Sequence, residues 1–143
     1  MLRPNFSGAI LIDTSAAIAL RDAADRYHVD ARRFFDDPGE DVFWCCLNAT
    51  SQETFTRLRY DKGFNRALEA YHFLRGGNVH HLAFDASDEA RTVDLLRKYQ
   101  SKVLSFHDAL CASVMLRESM FRVFTFDSDF WCFGFEVLPG VTG

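Results

Sequence analysis

The stretch Ala9-Ile10-Leu11-Ile12-Asp13-Thr14-Ser15 decides the fold. Four consecutive apolar residues behind Gly8 read as a strand buried on both faces, because a strand with one wet face would alternate. An acid follows at once, and Thr14 is placed to cap a helix over 15–20. A buried strand that runs straight into a helix opens a β-α unit, and such units build parallel sheets covered by helices.

Outward from there the same alternation continues. A helix is expected over 26–35, stopped by Asp36-Asp37-Pro38-Gly39, and a strand over 41–46, where Val42, Phe43 and Trp44 suit a pleated surface. Helical spacing returns over 50–60 and 64–74 and is broken by Gly76-Gly77-Asn78. A strand over 79–84, a helix opened by Ser87-Asp88-Glu89, a helix over 106–120 and strands over 122–126 and 135–138 complete the chain. The order is β-α-α-β-α-α-β-α-α-β-β, with room for one helical turn between the last two strands. It predicts an α/β fold, a parallel sheet between helical layers.

The 143 residues suit one domain, 1–143, that buries about 70% of its unfolded surface. With 48% hydrophobic and 25% charged residues, the chain is neither disordered nor fibrous. No apolar run approaches the length of a membrane span, and Met1-Leu2-Arg3-Pro4-Asn5 lacks a signal peptide's core, so a cytoplasmic protein is expected. Sixteen Lys and Arg against 20 Asp and Glu give −4, which excludes a protein that holds nucleic acid by bulk positive charge. The four cysteines, Cys45, Cys46, Cys111 and Cys132, form no Cys-x-x-Cys pair. His107 and Cys111 are four apart, but without a second pair at zinc spacing buried, reduced thiols are the better reading. All five histidines, His28, His72, His80, His81 and His107, read as structural or exposed.

Two aspartates end apolar strands, Asp13 after 9–12 and Asp127 after 123–126. Ligands of open parallel sheets bind beyond the carboxyl ends of the strands. If these strands are neighbours, two like charges share one crevice, a conflict that a cation removes. Either Asp alone is as well explained by capping the next helix. Asp108 is harder to explain away, because Cys111, Ala112 and Met115 on its helical face are apolar. An inward-facing carboxylate needs a partner, a proton or a metal, and the ordinary partner would be an arginine such as Arg122. Glu53 and Asp129 are weaker signals. Glu53 has Arg57 one turn on, and Asp129 fits an ordinary loop.

In combination, Leu11-Ile12-Asp13-Thr14-Ser15, Glu53 in a helix, Phe106-His107-Asp108-Ala109-Leu110 and Thr125-Phe126-Asp127-Ser128-Asp129-Phe130 resemble the PIN domain family, especially VapC-like toxins of toxin–antitoxin pairs. The resemblance implies a three-layer α/β/α sandwich around a mostly parallel five-stranded sheet. It implies a divalent-metal-dependent endoribonuclease, with an RNA substrate, a cognate antitoxin and a homodimeric state. Carried over by position, Asp13, Glu53, Asp108, Asp127 and Asp129 are the catalytic acids. Asp13, Asp108 and Asp127 are the metal ligands, and Thr14 and Thr125 are small hydroxyl residues supporting the site.

A phosphodiester is anionic and repels hydroxide. A divalent ion offsets that charge, positions the attacking water and lowers its pKa. An all-oxygen donor set selects Mg²⁺ or Mn²⁺ over zinc. Without the five acids the net −4 becomes +1, so the rest of the chain is close to neutral. Arg57, Arg59, Lys62 and Arg66 form a basic stretch after Glu53, a candidate track for an RNA backbone or simply a solvated helix face. Asp127-Ser128-Asp129 also mimics the Asp-x-Asp of haloacid-dehalogenase-type phosphatases, but bulky Phe130 occupies the next position. A receiver module needs paired acids after its first strand, and Asp13 has no acidic neighbour. The remaining alternative is a catalytically weak PIN domain that binds RNA or assembles with partners.

Overall fold

The computed structural model describes residues 5–6 and 8–142. Residues 1–4, where no signal-like core is expected, lie outside them. The apolar run forms β1 (Ala9–Ile12), and all four residues are buried. It leads to α1 (Thr14–Arg21), α2 (His28–Asp36), β2 (Phe43–Leu47), α3 (Asn48–Lys62) and α4 (Phe64–Leu74). The chain continues through β3 (Val79–Leu82), α5 (Ala86–Lys98), α6 (Phe106–Arg117), β4 (Arg122–Phe124), a 3-10 helix (Ser128–Phe133) and β5 (Glu136–Leu138). The five strands are all parallel, in the order β3-β2-β1-β4-β5.

Alternation along the strands splits the core in two. Leu11, Cys45, Leu47 and Val123 face α6 with Cys111, Val114 and Met115, while Ile10, Ile12, Cys46 and Phe124 face α1, α2 and α4 with Leu20, Ala31 and Leu74. Adjacent Cys45 and Cys46 therefore enter opposite layers, as strand geometry requires. Both are free, and burial pushes their thiols up to about 12. The aromatic tail closes the first layer. Phe130 is fully buried, Gly134 takes a left-handed turn (φ +78°), and Trp131 stays half exposed. Among the described residues no helix is long and apolar enough to cross a membrane.

Several elements differ from the sequence reading for identifiable reasons. Asp13, not Thr14, caps α1: its carboxylate accepts the Ala16 N–H at 2.9 Å, and the helix begins one residue early. β4 stops at Phe124 rather than 126: Thr125 N–H still reaches Leu138 O at 3.0 Å, but the two N–H groups after it are taken by side chains. Ser15 Oγ accepts from Phe126 (3.0 Å) and Thr125 Oγ1 from Asp127 (3.0 Å). α6 ends at Arg117 rather than 120, where Ser119 turns left-handed (φ +56°) and Met120 N–H reaches back to Met115. Asp85 and Asp88, rather than Ser87, open α5 by a reciprocal capping box.

Asp88 is fully buried at that cap. It accepts the Asp85 N–H (3.0 Å) and Arg91 (2.6 Å), and Arg117 Nε lies 3.1 Å away. Burial would raise its pKa, but the Asp85 N–H, Arg91 and Arg117 prevail and hold it below the ordinary carboxylate value. A depressed folded pKa stabilises the fold above the unfolded value near about 4, and that stability is lost as pH falls through the folded value. Asp88→Ala should cost about 2 kcal/mol in urea unfolding at pH 7. The gap to wild type should narrow at acid pH; a gap that stays constant down to pH ~3 would contradict this electrostatic origin.

Candidate active site

The sheet order reverses at β1, which pairs with β2 on one side and β4 on the other. Asp13 follows β1, and its N–H donates to Phe124 O at 3.2 Å, extending the pairing one step past the ladder. The two strands that end in acids are thus neighbours, as the crevice argument required. α3 runs on from β2 and carries Glu53, while Asp108 occupies the first turn of α6, whose cap is Ser105 (Asp108 N–H to Ser105 Oγ, 3.0 Å).

Asp13 is 1% exposed. Its Oδ1 accepts Ala16 N–H (2.9 Å) and Ser15 Oγ (2.8 Å), and its Oδ2 accepts Thr125 Oγ1 (2.7 Å). Burial pushes its pKa up to about 7, against the pull of Ala16 N–H and Thr125 and with a push from Asp108. Thr125 supports Asp13 directly and also accepts from the Asp127 backbone. Thr14, placed beside it by the sequence, is buried and its hydroxyl makes no hydrogen bond to any described residue.

One carboxylate oxygen from each of Asp108, Asp127 and Asp129 lies within 4.8 Å of the others. Burial raises the pKa of Asp127; the Asp129 N–H opposes this, and the charges of Asp108 and Asp129 add to it. Three hard oxygen donors at this separation, in mutual repulsion, fit a divalent cation. The trio differs from the sequence-derived set, which held Asp13 and left Asp129 auxiliary. Asp13 stands behind the trio, close enough to feel the charge of Asp108. Arg122, the ordinary partner considered for Asp108, instead pairs with Glu40 and the Gly8 carbonyl. Cys111, Ala112 and Met115 on the Asp108 face are fully buried, as its helical position implied.

Glu53 joins from α3. Its Oε1 lies 3.7 Å from Arg57 and its Oε2 lies 3.4 Å from His107 Nδ1. His107 also approaches Asp108 (3.8 Å), and its Nε2 is hydrogen-bonded to Thr50 Oγ1 (2.8 Å). The sequence reading took this histidine as structural. Burial opposes its charge, but Cys111, Asp108 and Glu53 together raise its pKa to about 11. Burial raises the Cys111 thiol too, so the upward pull on His107 that remains comes from Asp108 and Glu53 rather than from a thiolate. The sulfur is 3.7 Å from Nε2, which Thr50 already occupies, so the pair is a packing contact rather than a metal site.

The basic stretch divides. Arg57 lines a cleft of about 340 Å³ with Ser15, Tyr27, Phe126 and Asp127. Arg59, about 200° further round the helix, lies over the Phe64 ring at 5.1 Å. Lys62 is 3.9 Å from Asp61, and Arg66 is exposed on α4.

A fully parallel sheet with acids gathered at its switch point defines a class, and the chain belongs to the PIN domain family, whose model matches residues 10–133. It is 30% identical over 133 residues to the 23S rRNA-specific endonuclease VapC20 of Mycobacterium tuberculosis, covering 91% of this chain and 98% of that protein. The crystal structure of that Sarcin-Ricin loop cleaving toxin superimposes with a TM-score of 0.83 at 27% identity, over 89% of this chain and 96% of the other. A DNA-bound VapBC from Salmonella typhimurium shares the fold (TM-score 0.64, 16% identity, 90% and 96% covered). So does a toxin–antitoxin complex from Klebsiella pneumoniae (TM-score 0.63, 17% identity, 94% and 97% covered).

Repulsion within the acid trio must weaken the metal-free fold. Asp108→Asn should therefore leave the melting temperature in EDTA unchanged or raise it by a few degrees. A clear fall would show that Asp108 is held by attraction rather than repulsion.

Proposed function

We propose that the protein is a divalent-metal-dependent endoribonuclease, the toxin of a toxin–antitoxin pair. The observation that carries this is the convergence of Asp108, Asp127 and Asp129 beside buried Asp13 at the switch point of the sheet. Those three would hold a Mg²⁺ or Mn²⁺ ion, with Asp13 behind them as a further ligand. When bound, the ion would offset the phosphodiester charge and lower the pKa of the attacking water. Thr125 and Ser15 keep Asp13 in place through hydrogen bonds to both of its oxygens. Glu53, at the edge of the cluster, would accept a proton or orient the water from the α3 side. Arg57 faces the cleft beside Asp127 and would meet a substrate phosphate.

The related mycobacterial endonuclease is specific for 23S rRNA, so a structured ribosomal RNA loop is the substrate class we infer. Single-stranded loops expose bases and backbone together. Arg57 would meet the backbone at the cleft, while Arg59 and Lys62 on the far side of α3, and Arg66 on α4, would meet it where a folded loop wraps round the helix. An antitoxin protein that covers the acid cleft, a homodimeric state and a cytoplasmic location complete the reading. Against the catalytically weak alternative, none of the five acids is missing from the sequence: Asp108, Asp127 and Asp129 converge, Asp13 feels the charge of Asp108, and Glu53 is linked to Asp108 through His107.

Purified protein incubated with ribosomal RNA and Mn²⁺ should cut it, and EDTA should stop the cutting. Asp13→Asn and Asp108→Asn should each lower the rate at least 100-fold with the fold intact by circular dichroism; an unchanged rate removes that residue from the site. Arg57→Gln should raise KM more than it lowers kcat. Neutralising Arg59 and Lys62 together should flatten the dependence of RNA affinity on salt by about 1.4 units of log–log slope; an unaltered slope ends their role on the backbone.

A further inference from the structure

We infer that His107 is a positioning residue: anchored to Thr50, it fixes the Glu53 carboxylate at the edge of the acid cluster. The inference rests on the endonuclease reading and goes beyond it, because it explains what holds the one site acid that lies outside the deeper network.

Glu53 has a long side chain, 34% exposed, and nothing on its own helix holds it firmly. The Arg57 partner is 59% exposed at 3.7 Å, and such surface pairs constrain little. Asp13 is locked by three hydrogen bonds and Asp127 caps the 3-10 helix through Asp129 N–H at 2.9 Å, but Glu53 has no comparable bond among the described residues. His107 supplies the constraint from another element. Its side chain is 10% exposed, and its Nε2 is fixed at 2.8 Å to the hydroxyl of fully buried Thr50. The two ring nitrogens keep a fixed angle, so that bond aims Nδ1 at Glu53 Oε2 (3.4 Å) and Asp108 Oδ1 (3.8 Å). One rigid ring thus joins α3 to α6 and sets the spacing between two acids that belong to different helices. In many metal centres a carboxylate orients a histidine ligand; here the roles are reversed and the ring is the support.

The competing role is a plain helix–helix contact that affects stability alone. A double-variant cycle separates the two. In cleavage assays at saturating Mn²⁺, His107→Ala should lose at least tenfold in kcat, yet less than twofold when Glu53 is already Gln. The affinity for Mn²⁺, read by electron paramagnetic resonance of the free ion, should change less than threefold because Asp108, Asp127 and Asp129 remain. Thr50→Val should reproduce part of the kcat loss, and His107→Asn, whose amide nitrogen lies near Nδ1, should restore part of it. Full multiplication of the two kcat losses would overturn the inference. A second readout needs no activity: in metal-free protein, His107→Ala should move the Glu53 side-chain carboxyl resonance and leave that of Glu69 unmoved. A stationary Glu53 resonance overturns the positioning role whether or not RNA is cut. A wild type that neither binds Mn²⁺ nor cuts RNA overturns the endonuclease reading and leaves the resonance test to decide this one.

Discussion

Parallel strands cannot be joined by a tight turn, so the β1–β4 pair joins two segments with most of the chain between them. Their register sets Ile12 opposite Phe124, and one step beyond it the backbone bond from Asp13 to Phe124 and the side-chain bond from Thr125 to Asp13 close the seam. The site depends on that seam. Asp13 arrives from one strand, Asp127 from the other, Glu53 from the helix after the strand on the far flank, and Asp108 from the helix that leads back into β4. A slip of one residue would turn Asp13 and Thr125 to opposite faces and separate them.

Much of this was legible in the sequence because it is local. A four-residue apolar run, a helix with one misplaced charge and two strand-ending acids are each contained in a short stretch of chain, and they marked the sheet, its layers and Asp13, Asp108 and Asp127 as candidates. Element ends were less legible because tertiary bonds set them. β4 is cut short by Ser15, more than a hundred residues upstream, which takes the Phe126 N–H. The choice of Asp13 over Thr14 as cap turned on a single position. The carboxylate takes one acceptor role in the helix and another toward Thr125, so capping α1 does not exclude a place for Asp13 in the proposed site. His107 was missed because its partners, Thr50 and Glu53, lie more than fifty residues away and share no spacing with it. The available signal was its place directly before Asp108, at the opening turn of a helix whose buried face sequence periodicity had identified.

The site concentrates charge that the fold would otherwise avoid. Burial pushes the pKa of Asp13 up to about 7, and burial raises that of Asp127, with the charges of Asp108 and Asp129 adding to it. The fold tolerates this because its stability comes from elsewhere. Two apolar layers seal both faces of the sheet, and the buried Asp88 cap ties α5 to α6 through Arg117. Strain and cohesion thus occupy different ends of the same α6 helix: Asp108 in its first turn and Arg117 in its last.

The outermost strands of the sheet are short. Val79–Leu82 is four residues and Glu136–Leu138 is three, the latter followed by Pro139, which has no N–H to offer. An unpaired strand edge is a template for another chain, and short edges limit how much ladder a stranger can build. A protein with 15 phenylalanines, several of them at the surface, would otherwise invite sideways polymerisation. Clipped margins let such a sticky exterior remain available for chosen companions without seeding fibrils.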